Sequence, residues 1–455
     1  MVLTSFHWVG SSGTLQHTNY MEPTPAIKLT VIARIVAAIA GVGVGLVAFY
    51  LAFVGEYAHL FRETVMREAP WVLYLLPALI LLIINYLRIT FFLGTEGTGI
   101  PQTIAALEME KESDRKKMLS LRILFGKLLL TTLGLFSGAS MGREGPTVHA
   151  GACLMYFTRK IIVFPAHFVQ RGLILAGGAA GIAAAFNAPV AGIVFAIEEI
   201  GRSFDKRNLG VIIVVVLVAS VVCIATFGNY WFYGKVETSL NEWSVWVFIP
   251  VIAVLMGGFG GLFSLFIVRV YPIISTLMKK RPILIPLGIG LLIGGLGWLS
   301  NGHTLGTGFI QAQNMLVDGE QMEWYYPFLR VTATGLTLLS GIPGGLFDPT
   351  LSAGACFGQW FTHIIHQFEW ATGVDPQLVM MIAMACFFAG VVQSPVTAVV
   401  IMVEMTDSVH ATLPMMAGAI IAYAISRRVC TCSIYVALAG SYFNDKRGDV
   451  PCEEA

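Results

Sequence analysis

The chain has 455 residues, of which 56% are hydrophobic and 12% charged, with a formal net charge of +1. A soluble domain carries roughly twice that charged fraction, so the composition excludes an ordinary soluble protein and predicts a polytopic membrane protein. The small net charge and the lack of a long basic cluster exclude nucleic acid as a partner and leave the lipid bilayer as the surrounding.

Residues 1–28 are polar, with Pro23 and Pro25, and lack a basic segment followed by an apolar core. They read as a cytoplasmic tail, not a cleaved signal. Apolar runs follow at about 29–55, 71–93, 119–141, 172–197, 209–228, 244–270, 282–300, 328–342, 376–403 and 412–426. Several are too short, too long or too interrupted by Gly and Pro to be simple perpendicular spans. Gly41-x-x-x-Gly45, Gly257-x-x-x-Gly261 and Gly290-x-x-x-Gly294 suit close helix contacts. The connector 108–117 with Arg122, the turn with Arg202, Lys206 and Arg207, and the pair Arg427–Arg428 are the Lys/Arg-rich loops. The positive-inside rule places them in the cytoplasm. The seven cysteines sit mostly in apolar runs, and the spacing Cys430-Thr431-Cys432 suits neither a metal site nor a structural disulfide.

Three short segments interrupt the apolar pattern with helix-start chemistry. Gly97-Thr98-Gly99-Ile100-Pro101 offers Thr98 as a helix N-cap and its hydroxyl as an uncharged halide ligand. Gly142-Arg143-Glu144-Gly145-Pro146 places orphan backbone N–H groups and a positive dipole end at one point, which favours an anion. Glu144 is there as a tethered anion that protonation would release, and Arg143 balances local charge. Lys127, in the run 119–141, is either paired inside or snorkelling. Gly344-Gly345-Leu346-Phe347-Asp348-Pro349 is a second anion cradle built from the N–H groups of Leu346 and Phe347. Asp348 beside it either caps the new helix or points away.

The two Gly/Pro starts are copies. Gly142 to Cys153 and Gly345 to Cys356 both read G-x-x-x-P-T-x-x-A-G-A-C, 203 positions apart. Asn187-Ala188-Pro189-Val190 through Glu198 repeats as Gln393-Ser394-Pro395-Val396 through Glu404, 206 positions apart. This divides the chain into a first membrane repeat at 29–207, a second at 208–428 and a C-terminal segment at 429–455 that carries Tyr435. Paired interrupted helices point to a transporter site near the bilayer midplane. Glu198 has Glu404 as its repeat partner, so that position reads as structural. Glu199 aligns with Met405 and reads as a proton acceptor peculiar to the first half. Tyr435 is either an aromatic-belt residue or a phenol dipping into the membrane. His363-x-x-His366 with Glu369 lacks further ligands and reads as surface. No nucleophile elbow, zincin motif or other catalytic set is present, so no enzyme and no cofactor or metal is expected.

Taken together, these segments resemble the CLC family of chloride channels and chloride/proton antiporters, from about residue 29 to 440. G-S-G-I-P appears as Gly97 to Pro101, G-R-E-G-P as Gly142 to Pro146, G-x-F-x-P as Gly345 to Pro349, and the late tyrosine as Tyr435. The resemblance implies an all-α inverted-repeat fold with many tilted and broken helices, and one pore in each subunit of a homodimer. It implies Glu144 as the gating glutamate and Glu199 as the internal proton-transfer group. Thr98 and Tyr435 would give hydroxyls to the central anion, with N–H groups from Leu346 and Phe347. Arg143, Glu144 and Gly145 would give N–H groups to the outer anion, and Lys127 matches a family lysine. Chloride exchanged for protons across the cell (inner) membrane is the implied function, with both termini cytoplasmic. A passive voltage- or pH-gated chloride channel is the alternative. Thr98 departs from the family's serine, which affects halide preference. With about 20 residues after Tyr435, the expectation is a prokaryotic type without CBS domains.

Overall fold

The computed structural model describes residues 25–162, 170–202, 206–228, 230–239 and 243–443, with the side chains of 25–30, 170 and 206–208 outside that description. The expected tail at 1–28 and the last residues therefore lie almost wholly outside it, as do the side chains of Lys206 and Arg207. Among the described residues there is no β-strand, and the chain is built of helices.

In chain order these are α1 (Pro25–Glu68), α2 (Pro70–Thr90), α3 (Ile100–Glu108), α4 (Glu112–Met118), α5 (Leu121–Ser137), α6 (Glu144–Thr158), α7 (Gln170–Phe186), α8 (Pro189–Phe195) and α9 (Lys206–Phe227). The second half continues with α10 (Val245–Lys280), α11 (Leu284–Leu299), α12 (Phe309–Gln313), α13 (Tyr326–Leu339), α14 (Phe347–Ile365), α15 (Pro376–Val392), α16 (Pro395–Thr406), α17 (Thr412–Val429) and α18 (Ile434–Gly440). The repeat limits at 207/208 and 428/429 fall at the start of α9 and the end of α17.

Length separates two kinds of helix. At 1.5 Å per residue, α1 and α10 extend about 66 and 54 Å, well beyond a hydrocarbon layer of about 30 Å, so they must tilt or project from it. Their outer faces carry apolar side chains such as Ile39, Leu46, Val251 and Leu262 toward lipid. In contrast α3, α6 and α18 are shorter, and together with α14 they are buried on nearly every side. A helix apolar all round belongs to the interior, and these four start in the middle of the protein. The runs 172–197 and 376–403 are not single spans. Each is cut by a left-handed residue, Asn187 (φ 53°) or Gln393 (φ 62°), before a proline-started helix. Proline restricts the residue before it away from helical geometry, which is why the break falls there.

The glycine motifs mark backbone-close contacts. A Cβ on Gly257 or Gly290 would run into the backbone of Ala422 in α17 or of Ala78 in α2. The cysteine expectation needs one correction. Cys153, Cys223, Cys356, Cys386 and Cys430 are free, but Cys432 is disulfide-bonded. Spacing between Cys430 and Cys432 could not reveal this, because an odd set still leaves a distant partner for either.

The two halves hold each other's helix ends. Glu404 accepts from the N–H groups of Val190 (3.1 Å) and Ala191 (2.6 Å) at the start of α8. Glu198 accepts from the N–H groups of Val396 (3.1 Å) and Thr397 (2.7 Å) at the start of α16. A carboxylate satisfies orphan donors and meets the positive dipole end at once. Glu198→Ala and Glu404→Ala should each lower stability by about 1–2 kcal/mol. Thermal melting in detergent checks this, and the larger loss is expected for Glu198→Ala, because Glu198 also accepts from Thr397 Oγ1 at 2.6 Å.

Candidate functional site

At the centre, the loops before α6 and α14 meet as an antiparallel bridge. Gly142 N–H donates to Gly345 O (2.9 Å) and Gly345 N–H to Gly142 O (2.7 Å). These are equivalent residues of the two repeats. A side chain at either would strike the Glu144 carboxylate, so both close approaches require glycine. From the bridge the two helices diverge in matching fashion. Thr147 Oγ1 donates to Arg143 O (2.8 Å), as Thr350 Oγ1 does to Leu346 O (2.7 Å).

Glu144 is fully buried and reaches across to the second repeat. Its Oε1 accepts from Phe347 N–H at 2.6 Å, and its Oε2 has no protein partner. The carboxylate thus occupies the cradle that the sequence assigns to an anion. Phe347 is walled by Phe388, Phe195 and Phe186, with ring centroids 4.6, 5.5 and 5.6 Å away. That apolar wall leaves its N–H as the polar feature presented at the helix start.

Thr98 packs against the first-repeat helix start. A Cβ on Gly145 would lie 2.7 Å from Thr98 O. The N-cap of α3 is Gly99 (φ 96°), not Thr98. Thr98 nevertheless accepts from Ile100 N–H at 3.3 Å, so it caps from one position further out. The turn ahead of it is fastened by Lys127, which is fully buried and donates to Gly97 O (2.7 Å) and Thr95 O (3.0 Å). Of the two readings of Lys127, internal pairing holds, and its partners are carbonyls.

Tyr435 in α18 is fully buried, and its hydroxyl has no protein partner. It is not an aromatic-belt residue. Below it, α18 is capped by Ser433, whose Oγ accepts from Tyr435 N–H and donates to Glu199 Oε1. Ser394 Oγ donates to Glu199 Oε2 at 2.7 Å. Glu199 is 2% exposed and sits in the wide helical turn that follows α8. Glu198, one residue before, points to α16 instead.

Beside Arg143 and Asp348 lies a cavity of about 440 Å³, which exposed Glu56 also lines. It adjoins the C-terminal end of α5, away from the Lys/Arg-rich face where α5 begins: Arg62, which also lines it, donates to Leu135 O at 2.8 Å. The Arg143 guanidinium stands over Phe232, 5.6 Å from the ring centroid. The sequence reading missed Arg330, a fully buried residue that donates to Tyr326 Oη, Ser140 Oγ, Thr304 O, Gly306 O and His303 O. An ionisable residue inside the apolar run 328–342 was the available signal. Ser394 and Ser433 were also missed, since an isolated serine carries none.

His363 is exposed and pairs with Gln321 at 3.1 Å, away from this centre. Asp348 is buried and makes no cap: the donor at the start of α14 that meets a carboxylate, Phe347 N–H, is taken by Glu144.

Comparison with known proteins follows the same outline. The family described as voltage gated chloride channel matches residues 80–427. The chain is 29% identical over 352 residues to the H(+)/Cl(-) exchange transporter ClcA of Vibrio cholerae serotype O1, covering 75% of this chain and 73% of that one. It is 29% identical over 418 residues to the H(+)/Cl(-) exchange transporter ClcA of Yersinia pestis biovar Antiqua, covering 85% and 83%. A solved slow cyanobacterial Cl-/H+ antiporter superposes with a TM-score of 0.75 at 22% identity, over 92% of this chain and 98% of that one.

Lys127→Met should remove charged donors from two buried carbonyls at a cost of about 1.5–3 kcal/mol. Chloride binding should weaken with it, because the turn carrying Thr98 loses its anchor. Calorimetric titration with chloride alongside a thermal melt checks both effects, and an unchanged isotherm would detach the turn from anion binding.

Proposed function

The chain belongs to the voltage gated chloride channel family, and we propose that it exchanges chloride for protons across a membrane. The observation that carries this reading is the Glu144 carboxylate docked on Phe347 N–H, where two helix starts face each other. Anionic Glu144 and chloride would compete for one cluster of N–H groups, because two negative charges a few ångströms apart repel strongly in a site of low dielectric constant. Chloride displaces the carboxylate, and the displaced group takes a proton. Movement of one species is then tied to movement of the other.

In this scheme Leu346 and Phe347 give N–H groups to the central anion, with Tyr435 and Thr98 giving hydroxyls. The unpartnered Tyr435 hydroxyl supports that role, since buried polar atoms ordinarily have a partner. Arg143, Glu144 and Gly145 give N–H groups to an outer anion. Glu199 receives protons from the Lys/Arg-rich face and is held for that task by Ser394 and Ser433. An anion needs no ionisable relay to cross apolar packing, but a proton does, so Glu199 favours exchange over a passive channel. No cofactor is called for, as the two gradients supply the driving force.

Location follows from charge. The face with the 108–117 connector, Arg202, Arg427 and Arg428 would be cytoplasmic by the positive-inside rule, with both termini on that side of the cell membrane. The cavity floored by Arg143 and Asp348 would then open outward. A homodimer with one pore per chain is the expected assembly in the bilayer.

Glu144→Gln imitates a permanently protonated gate. In liposomes it should carry chloride but move no protons, and uphill proton pumping by this variant would remove Glu144 as the gate. Glu199→Gln should cut proton movement by at least tenfold while chloride flux persists. Simultaneous recording of chloride and external pH checks this, and full coupling in Glu199→Gln would put the internal proton route elsewhere.

A further inference from the structure

Each repeat carries one carboxylate at its central helix start, but not at the same position. The equivalent of Glu144 is Phe347, and Asp348 stands one residue later, where the first repeat has Gly145. One helical residue turns the side-chain direction by about 100°. Glu144 lies across the two loops, whereas Asp348 lines the outer cavity with Arg143. Asp348 is 1% exposed and its Oδ1 has no hydrogen-bond partner. An acid there does not cap α14, and it stands beside a site proposed to attract anions. It directly follows Phe347, whose N–H holds the Glu144 carboxylate at 2.6 Å.

Building on the exchange function above, we propose that Asp348 is the outer proton relay between Glu144 and the water of the cavity. On the way out, protonated Glu144 passes its proton to the Asp348 carboxylate. This leaves Glu144 as a carboxylate free to return to Phe347 N–H. Protonated Asp348 then gives the proton to water or buffer in the cavity and becomes a carboxylate again. Inward transfer runs the same two steps in reverse. Nothing is oxidised or reduced, and no group beyond water is needed.

Magnitude explains why a relay matters. At pH 8, protons arriving at a diffusional ceiling of about 10^10 per molar per second protonate one fully open carboxylate about 100 times per second. Glu144 is fully buried and is not part of the cavity lining, so direct capture is slower than that. A second carboxylate in the cavity lining collects protons and hands them to the gate held by the preceding residue's N–H. The other titratable and charged groups that face Asp348 or line its cavity are Arg143, Arg330, Glu144, Tyr230, Tyr233, Glu56, His59 and Arg62. Of these, Glu56 is exposed and His59 half-buried, so both exchange protons with solvent, and neither adjoins Phe347 as Asp348 does.

The test uses full-length protein in planar bilayers. Exchanging an anion for a cation moves net charge, so the exchange current reports turnover at any buffer strength. Wild type, Asp348→Asn and Asp348→Glu are compared at pH 8 and pH 5.5, each in dilute and concentrated imidazole. Asp348→Asn should run at least threefold slower than wild type at pH 8 in dilute buffer. The deficit should close at pH 5.5 and in concentrated imidazole, which delivers protons directly, and Asp348→Glu should match wild type throughout. Equal currents for Asp348→Asn and wild type in every condition would overturn the relay. So would a deficit of the same factor in every condition, which marks a packing or charge effect. A wild type that carries chloride without protons would instead overturn the exchange function itself, and the relay with it.

Discussion

Two backbone hydrogen bonds between Gly142 and Gly345 hold the starts of α6 and α14 in register, and the geometry of the centre follows from them. Helix starts carry donors that their own helix cannot satisfy. Bringing two such starts together would be unfavourable without something negative between them. Glu144 is that negative group, and it lies over the bridging glycines because neither has a side chain to exclude it. The same clustering that makes the protein hold a carboxylate makes it suited to hold an anion.

Around this centre, burial has been arranged by carbonyl and hydroxyl partners more than by opposite charges. Lys127 and Arg330 are both fully buried, and their partners are carbonyl and hydroxyl groups. Removing charge from water is costly unless the donors find acceptors, and exposed loop carbonyls supply them. Each cation thereby ties down an irregular segment that no helix could satisfy: 95–97 for Lys127, 303–306 for Arg330. A carboxylate partner for either would have placed more negative charge near a path proposed for anions. Neutral acceptors fix the loops without that penalty.

Much of this was legible in the residues. The repeated G-x-x-x-P-T-x-x-A-G-A-C segment located both helix starts, and the mismatch of Glu144 with Phe347 foretold that one side would hold the acid and the other the donors. The pairing of Glu198 with Glu404 marked that position as structural, and both acids do hold helix starts of the other half. Other features were hidden for physical reasons. The cap of α3 falls on Gly99 and not on Thr98, because the chain turns there through φ 96°, an angle open to glycine and disfavoured for threonine, and the residue order does not reveal that angle. Lys127 could have snorkelled or paired, and only the approach of the 95–97 turn decides between them. Ser394 and Ser433 matter through the acid they touch, 195 and 234 positions away along the chain. Hydropathy merged α7 with α8 and α15 with α16, since a two-residue break barely changes a running average.

The exchange of glutamates between α8 and α16 has a bearing on how the chain assembles. Glu404 lies more than two hundred residues beyond the N–H groups of Val190 and Ala191 that it satisfies. During synthesis the first half would enter the bilayer with the start of α8 still bare, in a setting where open amides are poorly tolerated. It must wait, wet or held by other machinery, until α16 has emerged from the ribosome. The two halves are therefore unfinished as separate bodies, and an ancestral single copy would have met the same need by pairing with another of itself.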